Sequence, residues 1–159
     1  MSACGVAMSR EIDRILDANL NRVREGLRVA EELCRLILED RTLQQELKAI
    51  RHTLAQLEKK FLGVKLLVSR DVRRDPGVFS GEANEQKRAD WAELARANFR
   101  RAQEGMRVLE EVSKLVPGNF GGSFKRLRFR LYELEQRTAV RLAGSRRSRY
   151  RAAKRGSCS

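Results

Sequence analysis

A nineteen-residue stretch near the N-terminus recurs in the second half of the chain, and this repeat limits the possible folds more than any other feature. Residues 18–36 (ANLNRVREGLRVAEELCRL) and 97–115 (ANFRRAQEGMRVLEEVSKL) are identical at ten of nineteen positions. A second match follows each copy and pairs residues 47–60 with residues 124–137. Similarity at one long offset indicates a duplicated unit rather than a solenoid of short repeats. Each half is therefore predicted to contain two helices.

Apolar residues recur at spacings of three and four in all four matched segments, which is the pattern of one buried helical face. In the first copy they are Leu20, Val23, Leu27, Ala30, Cys34 and Ile37. Only two prolines and 6% aromatic residues, with many Leu, Ala, Glu and Arg residues, favour helices over strands. We predict an all-α fold in which two internally duplicated, antiparallel helical hairpins form a four-helix bundle-like domain.

The predicted domain covers residues 10–140, with halves at 10–61 and 90–140 joined by a long crossover at 62–89. A crossover of this length is uncommon unless it is functional. Residues 141–159 form a basic tail that contains seven lysines and arginines and no acid. Because the tail lacks apolar periodicity, we expect it to be disordered.

The net charge is +13, and +6 remains without the tail. A basic chain can contact nucleic acid, but few aromatic residues and no recognition motif count against that partner. No apolar run approaches the roughly 18 residues of a membrane span, and no hydrophobic signal core is present. The three cysteines show no metal-ligand spacing, and their odd number suits a reducing compartment. We expect a cytoplasmic protein with no membrane contact.

Four polar residues of the repeat, Asn19, Arg22, Asn98 and Arg101, fall inside the predicted apolar arcs of their helices. Burial of an unpaired guanidinium costs several kcal/mol. These residues are therefore predicted to meet acids, a water-filled cavity or an anionic ligand.

Further repeated charges lie at the edge of the arc, and two interpretations remain open for them. They are Glu25, Arg28, Glu31 and Glu32 in the first copy and Glu104, Arg107, Glu110 and Glu111 in the second. They either form an exposed ladder of ion pairs, each contributing tenths of a kcal/mol, or belong to a ligand site. Gly26 and Gly105 lie mid-helix, where glycine costs about 1 kcal/mol relative to alanine. Close crossing of two helices explains them better than close approach of a ligand.

The familiar nucleotide-binding and hydrolase motifs are absent from the sequence, including the Walker-type loop and the kinase glycine-rich loop. Any phosphate would have to be bound by arginines and helix N-termini. Asp71 and Asp75 of the crossover offer carboxylates that could hold Mg²⁺ together with a substrate phosphate. His52, the only histidine, is interpreted as structural.

One family shares a set of these residues. They are Ile15–Arg22, Glu25–Val29, Arg51-His52, Arg70-Asp71, Asp75, Ala97-Asn98, Arg101, Gln103-Glu104 and Arg107–Glu111. With them, residues 12 to about 137 resemble the monofunctional hydroxymethylpyrimidine phosphate kinase of bacterial thiamine biosynthesis, a domain found alone or fused ahead of thiamine phosphate synthase. The chain has Asp75-Pro76-Gly77 where the family is expected to have Asp-Val-Gly. The resemblance implies the stand-alone form of this domain.

The resemblance implies that ATP, with Mg²⁺, phosphorylates 4-amino-5-hydroxymethyl-2-methylpyrimidine phosphate to the diphosphate. Our hypothesis assigns Arg22, Arg28, Arg101 and Arg107 as catalytic phosphate clamps and Asn19, Asn98, Glu25, Glu104 and Arg51 to the substrates. It assigns Asp71 and Asp75 to the metal, together with Glu25 or Glu104. One copy of the repeat would bind nucleotide and the other the pyrimidine phosphate. Thiamine phosphate synthase is a possible partner, and a homo-oligomer is possible.

Three alternatives remain. The first is a non-catalytic helical module that binds ligands or partners the synthase. The second is a basic RNA-binding protein, whose binding would depend steeply on salt and on residues 141–159. The third is a purely structural protein in which Glu25 and Glu104 saturate Arg22 and Arg101 and no cavity lies beside them.

Overall fold

A computed structural model of the chain describes residues 3–61 and 88–156. Within these two ranges the chain forms α-helices and no strand, which confirms the all-α prediction. The helices are α1 (Ala3–Glu32), α2 (Arg41–Phe61), α3 (Trp91–Val112) and α4 (Gly121–Gly156). Nearly all of the predicted crossover, with Asp71 and Asp75, lies outside the described residues.

The first hairpin turns between Leu33 and Asp40. A short π-helical turn, Leu33–Ile37, ends α1, and the backbone N–H of Leu38 donates to the carbonyl oxygen of Leu33 at 3.1 Å. Asp40 then caps α2, because its Oδ1 accepts from the backbone N–H of Leu43 at 3.1 Å. The chain therefore reverses direction within a few residues.

The second hairpin has a different turn between helices of the same kind. A 3-10 turn, Ser113–Leu115, ends the first helix of this pair, and Gly118 adopts a left-handed φ of 109° before α4 begins. Glycine adopts such a φ without steric cost. Pro117, Gly118 and Asn119, which are residue types that favour turns, thus separate the two helices of this hairpin.

Each helix contributes one apolar face to a single core, and the two helices that carry the repeat, α1 and α3, have the most extensive contact with each other. Val23 and Leu47 in the first half and Met106 and Leu131 in the second are fully buried. Among the described helices, none combines the length and the apolar character that crossing a membrane requires.

The helices α1 and α3 cross closely at the two repeated glycines. A Cβ atom built on Gly26 would lie 2.5 Å from the carbonyl oxygen of Asn98, and one built on Gly105 would lie 3.3 Å from that of Asn19. These two contacts join equivalent positions of the repeat in opposite directions, so the helices are antiparallel. We call this α1–α3 contact the seam; it confirms the helix-crossing interpretation of the glycines.

A buried glutamate at equivalent positions ties the helices of each hairpin together. Glu31 accepts from Nε of Arg51 at 3.0 Å, and Glu110 accepts from NH2 of Arg128 at 2.8 Å. The exposed fractions of the two carboxylate side chains are 6% and 8%. Because a buried carboxylate is stable only when it is paired, these ion pairs fix the packing of each hairpin.

A second polar bridge joins each hairpin nearer the opposite end. Arg24 donates to Glu58 at 2.6 Å, and Gln103 donates to Glu135 at 2.7 Å. The two hairpins thus repeat each other's contacts at matched positions. Duplication of the underlying segment stays a prediction.

The folded body continues beyond residue 140, where the sequence prediction ended it. Leu142 is 5% exposed, and α4 continues to Gly156. The apolar face of α4 continues from Leu134 through Thr138 to Leu142 at four-residue steps, so the stripe passes the predicted boundary. The prediction that the tail begins at residue 141 was therefore too early.

Candidate functional site

The two repeated asparagines line the seam. Asn19 is 4% exposed and Asn98 is half-buried. Each side chain donates from Nδ2 to the carbonyl oxygen four residues earlier, Asn19 to Ile15 at 2.8 Å and Asn98 to Leu94 at 2.9 Å. The backbone therefore satisfies one amide hydrogen of each residue at the point where the helices meet.

The two repeated arginines are exposed, so their predicted place inside the apolar arc was wrong. Arg22 follows Asn19 by three residues, which turns it about 60° away round the helix and past the edge of the buried face. Arg101 stands in the same relation to Asn98. The long side chains then reach solvent while the asparagines stay in the seam.

Arg101 reaches across the seam to the other half of the molecule. Its NH2 lies 3.2 Å from Oε2 of Glu25, and the side chains of Arg101 and Glu25 are 50% and 62% exposed. An ion pair this exposed contributes at most about 1 kcal/mol. An anionic ligand can therefore compete with Glu25 for the guanidinium. Arg22 donates to Oδ1 of Asn19 at 3.3 Å.

A cleft of about 460 Å³ borders Arg101 on the N-terminal half of α3. We call it the arginine cleft, and its lining residues are Arg88, Glu93, Arg96, Ala97, Asn98, Arg100, Arg101 and Glu104. Its volume lies within the range of small-molecule sites. The cleft brings together three of the predicted site residues, Asn98, Arg101 and Glu104. It is also at odds with a purely structural protein, for which we expect no cavity beside Arg101.

The cleft carries an excess of positive charge. Four arginines and two glutamates line it. One of the acids, Glu93, is engaged in capping α3: its Oε2 accepts from the backbone N–H of Ala89 at 2.7 Å, while its own N–H donates to Oδ1 of Asp90 at 2.8 Å. This reciprocal arrangement resembles a capping box. The cleft is therefore suited to an anion.

Other predicted site residues lie away from the cleft or are already engaged. Arg107 pairs with Glu110 at 2.7 Å and with Glu111 at 2.8 Å on its own helix. Arg51 holds the buried Glu31. Arg28 is exposed. Arg107 thus belongs to a ladder of ion pairs along its own helix. The roles of Arg107 and Arg28 as phosphate clamps, and of Arg51 in substrate binding, stay predictions.

The predicted metal ligands Asp71 and Asp75 lie outside the described residues. Elsewhere, in the ranges that the structure covers, no three His, Cys, Asp or Glu side chains cluster in a way that could hold a metal ion. Glu104 places one exposed carboxylate in the arginine cleft.

An aromatic group on α4 was missed by the sequence prediction. The exposed rings of Phe129 and Tyr132 meet edge to face, with centroids 5.8 Å apart, and the guanidinium of Arg128 lies 5.2 Å from the centroid of Phe129. The hydrogen bond to the Tyr132 hydroxyl, and then the one to Glu110, raise the pKa of Arg128 above its ordinary value. These contacts hold the Arg128 guanidinium in place.

Arg96 and Arg100 were also missed. A comparison of the positions at which the two halves differ would have revealed them. At the offset of the repeat, Arg96 corresponds to Asp17 and Arg100 corresponds to Asn21. The sequence prediction considered only identities between the copies.

The comparisons with known proteins match most of this chain. The family model described as the ThiD2 family matches residues 14–137. The chain belongs to the ThiD2 family. Among curated relatives of this ThiD2-family chain, thiamine-phosphate synthase of Synechocystis sp. is 46% identical over 124 residues, which are 78% of this chain and 35% of that protein. Thiamine-phosphate synthase of Rhodopirellula baltica is 39% identical over 138 residues, 87% of this chain and 37% of that protein.

The ThiD2-family chain thus spans little more than a third of the length of these relatives. The match relates it to proteins that are named for a step of thiamine biosynthesis. No solved structure matches the chain.

Proposed function

We propose that this ThiD2-family chain is a kinase of thiamine biosynthesis that converts 4-amino-5-hydroxymethyl-2-methylpyrimidine phosphate to its diphosphate. An oxygen of the acceptor phosphate attacks the γ-phosphorus of ATP. The bond from that phosphorus to the β–γ bridging oxygen breaks, and ADP leaves. The observation that carries the proposal is the arginine cleft, which lies beside Asn98 and Arg101 of the repeated motif.

The residue types in the cleft suit this chemistry. The acceptor phosphate is already anionic near neutral pH, so the reaction needs no general base. It needs neutralisation of charge and alignment of the two phosphates, which positioned arginines supply. Arg101 contributes from α3, and Arg22 occupies the equivalent position on α1. Their positions beside the crossing of α1 and α3 support a reaction centre on the exposed side of the seam.

Mg²⁺, when bound, would neutralise part of the phosphate charge. Magnesium sites of phosphoryl-transfer proteins use one or two carboxylates together with substrate phosphates and water. The exposed carboxylate of Glu104 in the cleft fits such a donor set, and Asp71 and Asp75 are proposed as the further ligands.

The relatives support the pathway and motivate a proposal about a partner. They carry the name thiamine-phosphate synthase and contain a segment that matches this chain within a much longer protein. We propose that the product of this chain is passed to a thiamine phosphate synthase activity. A cytoplasmic location and a homo-oligomeric state stay predictions.

The decisive experiment incubates the purified protein with ATP, Mg²⁺ and the pyrimidine monophosphate and measures the diphosphate and ADP. Arg101→Met replaces the guanidinium with a neutral chain of similar length, and Arg130→Met makes the same change on the exposed surface of α4. We expect Arg101→Met to lower kcat/KM by about a hundredfold and Arg130→Met to leave it unchanged. Absence of product from the wild-type protein excludes the kinase. Ligand-dependent melting without ADP then indicates a non-catalytic binding module.

A further inference from the structure

The helices that carry the repeat, α1 and α3, differ in charge at two equivalent positions beside the seam. On α3 these positions hold Arg96 and Arg100, both exposed. On α1 the equivalent positions hold Asp17 and Asn21. Asp17 is only 6% exposed and accepts from Nδ2 of Asn21 at 3.4 Å. The α3 face is therefore cationic and open, whereas the α1 face contains a buried acid.

The arginines of the α3 face are available to a ligand. Within the ranges that the structure describes, Arg96 and Arg100 make no ion pair. In the same ranges, the ion pair of Arg101 is the exposed one with Glu25. Arg96 and Arg100 are four residues apart, which places their Cβ atoms about 5–6 Å from each other on one side of the helix. Arg101 lines the same cleft as these two residues, so all three side chains border the space that one anionic ligand would occupy.

We propose that the arginine cleft binds the polyphosphate chain of the nucleotide, with Arg96, Arg100 and Arg101 as its ligands. This assignment rests on the proposed kinase function for the identity of the nucleotide. The two substrates differ in charge, since the donor carries three phosphates and the acceptor one. The α3 face carries Arg96 and Arg100 where α1 carries Asp17 and Asn21, so the α3 face takes the donor. The acceptor monophosphate falls to the α1 side, where Arg22 stands beside Asn19.

The test measures binding directly by calorimetry, without turnover. The probes are Mg²⁺-free ATP, inorganic tripolyphosphate and the pyrimidine monophosphate. The variant is the double substitution Arg96→Gln and Arg100→Gln. Its control is Arg126→Gln with Arg130→Gln, which removes the same charge at the same four-residue spacing from exposed positions of α4. Circular dichroism confirms that both variants are folded.

We expect the Arg96/Arg100 variant to bind ATP and tripolyphosphate roughly tenfold to a hundredfold more weakly, because each lost charge-assisted contact costs about a factor of ten. Binding of the monophosphate should change less than threefold. The control variant should bind all three probes as the wild type does. Unchanged binding of ATP to the Arg96/Arg100 variant, or an equal loss in the control, overturns the assignment. So does a wild-type protein that binds neither polyphosphate.

Failure of this assignment and failure of the kinase have different signatures. If the wild-type protein forms the diphosphate but the Arg96/Arg100 variant keeps its affinity for ATP, the cleft assignment is wrong and the kinase stands. If tripolyphosphate binds through Arg96 and Arg100 but no diphosphate forms, the cleft assignment stands and the kinase is wrong.

Discussion

Gly26 and Gly105 bring α1 and α3 together, but the two positions are not equally tight. A Cβ on Gly26 meets the backbone oxygen of Asn98 at 2.5 Å, whereas the nearest atom to a Cβ on Gly105 is Cγ2 of Val23 at 2.8 Å. A side chain can move aside more easily than a backbone. We expect Gly26→Ala to lower the free energy of unfolding by about 2 kcal/mol and Gly105→Ala to lower it by about 1 kcal/mol. Both figures are net values that already include the gain of about 1 kcal/mol from the higher helix propensity of alanine. Urea denaturation followed by circular dichroism measures both.

Gly144 supplies the control for this pair. It lies in α4, and among the described residues nothing beyond the neighbouring residues and backbone of its own helix lies within 4 Å of a Cβ built there. Gly144→Ala should therefore raise the free energy of unfolding by up to about 1 kcal/mol through helix propensity alone. A Gly26→Ala protein as stable as the wild type would contradict the close crossing at the seam.

Cys34 is fully buried, and its Sγ lies 3.7 Å from Oγ1 of Thr138. Burial is the main cause that raises the pKa of Cys34 above its ordinary value. The folded protein therefore holds the thiol proton more tightly than the unfolded chain does. The stability that the protonated thiol contributes is fully present below the ordinary pKa of cysteine. It is lost as the pH rises through the raised pKa of Cys34 in the folded protein. We expect the free energy of unfolding to fall more steeply between pH 8 and about pH 10 in the wild type than in Cys34→Ala. Parallel pH profiles would contradict this.

Single residues show where the sequence was sufficient and where it was not. The mid-helix glycines required an explanation by close packing, and the crossing provides it. The burial of Arg22 and Arg101 was predicted wrongly because a helical wheel gives an angle but not the width of the covered face. Arg96 escaped notice because it is not shared between the copies.

At the scale of helices, the hairpins depend on their buried acids. Glu110 accepts from Arg128 at 2.8 Å and from Arg107 at 2.7 Å, and its side chain is 8% exposed. Its neighbour Glu111 makes ion pairs on the surface. We expect Glu110→Ala to lower the free energy of unfolding by about 3 kcal/mol, because the largely buried Arg128 loses its partner. Glu111→Ala, measured by the same urea titration, should change stability little. Equal effects of the two substitutions would show that Glu110 does not tie the hairpin together.

The helices themselves were largely predictable. Periodicity places the apolar stripes, and Asp40 and the Pro117-Gly118 pair mark the turns. The partners of Glu31 and Glu110 were not predictable, because an acid at the edge of a stripe can pair along its own helix or across to the next one. Only the packing of the second helix decides between these. The sequence prediction also ended the last helix too early. The residues after 140 are mostly basic, and this composition drew attention away from the apolar face of α4, which continues to Leu142.

At the scale of the whole molecule, the repeat produces an interdependent fold rather than two small domains. The first helix of each half packs most extensively on the first helix of the other half, so neither hairpin covers its apolar face alone. The sequence predicted the four helices and, through the repeated glycines, a close helix crossing at the duplicated interface. The close approach at Gly26 and Gly105 also places Arg101 next to Glu25.

Because both hairpins share one core, the two halves should unfold together. Trp91, the only tryptophan, reports on the second half by fluorescence, and Cys34 reports on the first half by thiol labelling. With Cys4 and Cys158 replaced by serine, we expect both probes to give the same urea midpoint, as two-state unfolding requires. Gly26→Ala should shift both midpoints by the same amount, although it lies in one half. Two separate midpoints, or a shift of the Cys34 transition alone, would mean that the hairpins fold independently and that the seam does not couple them.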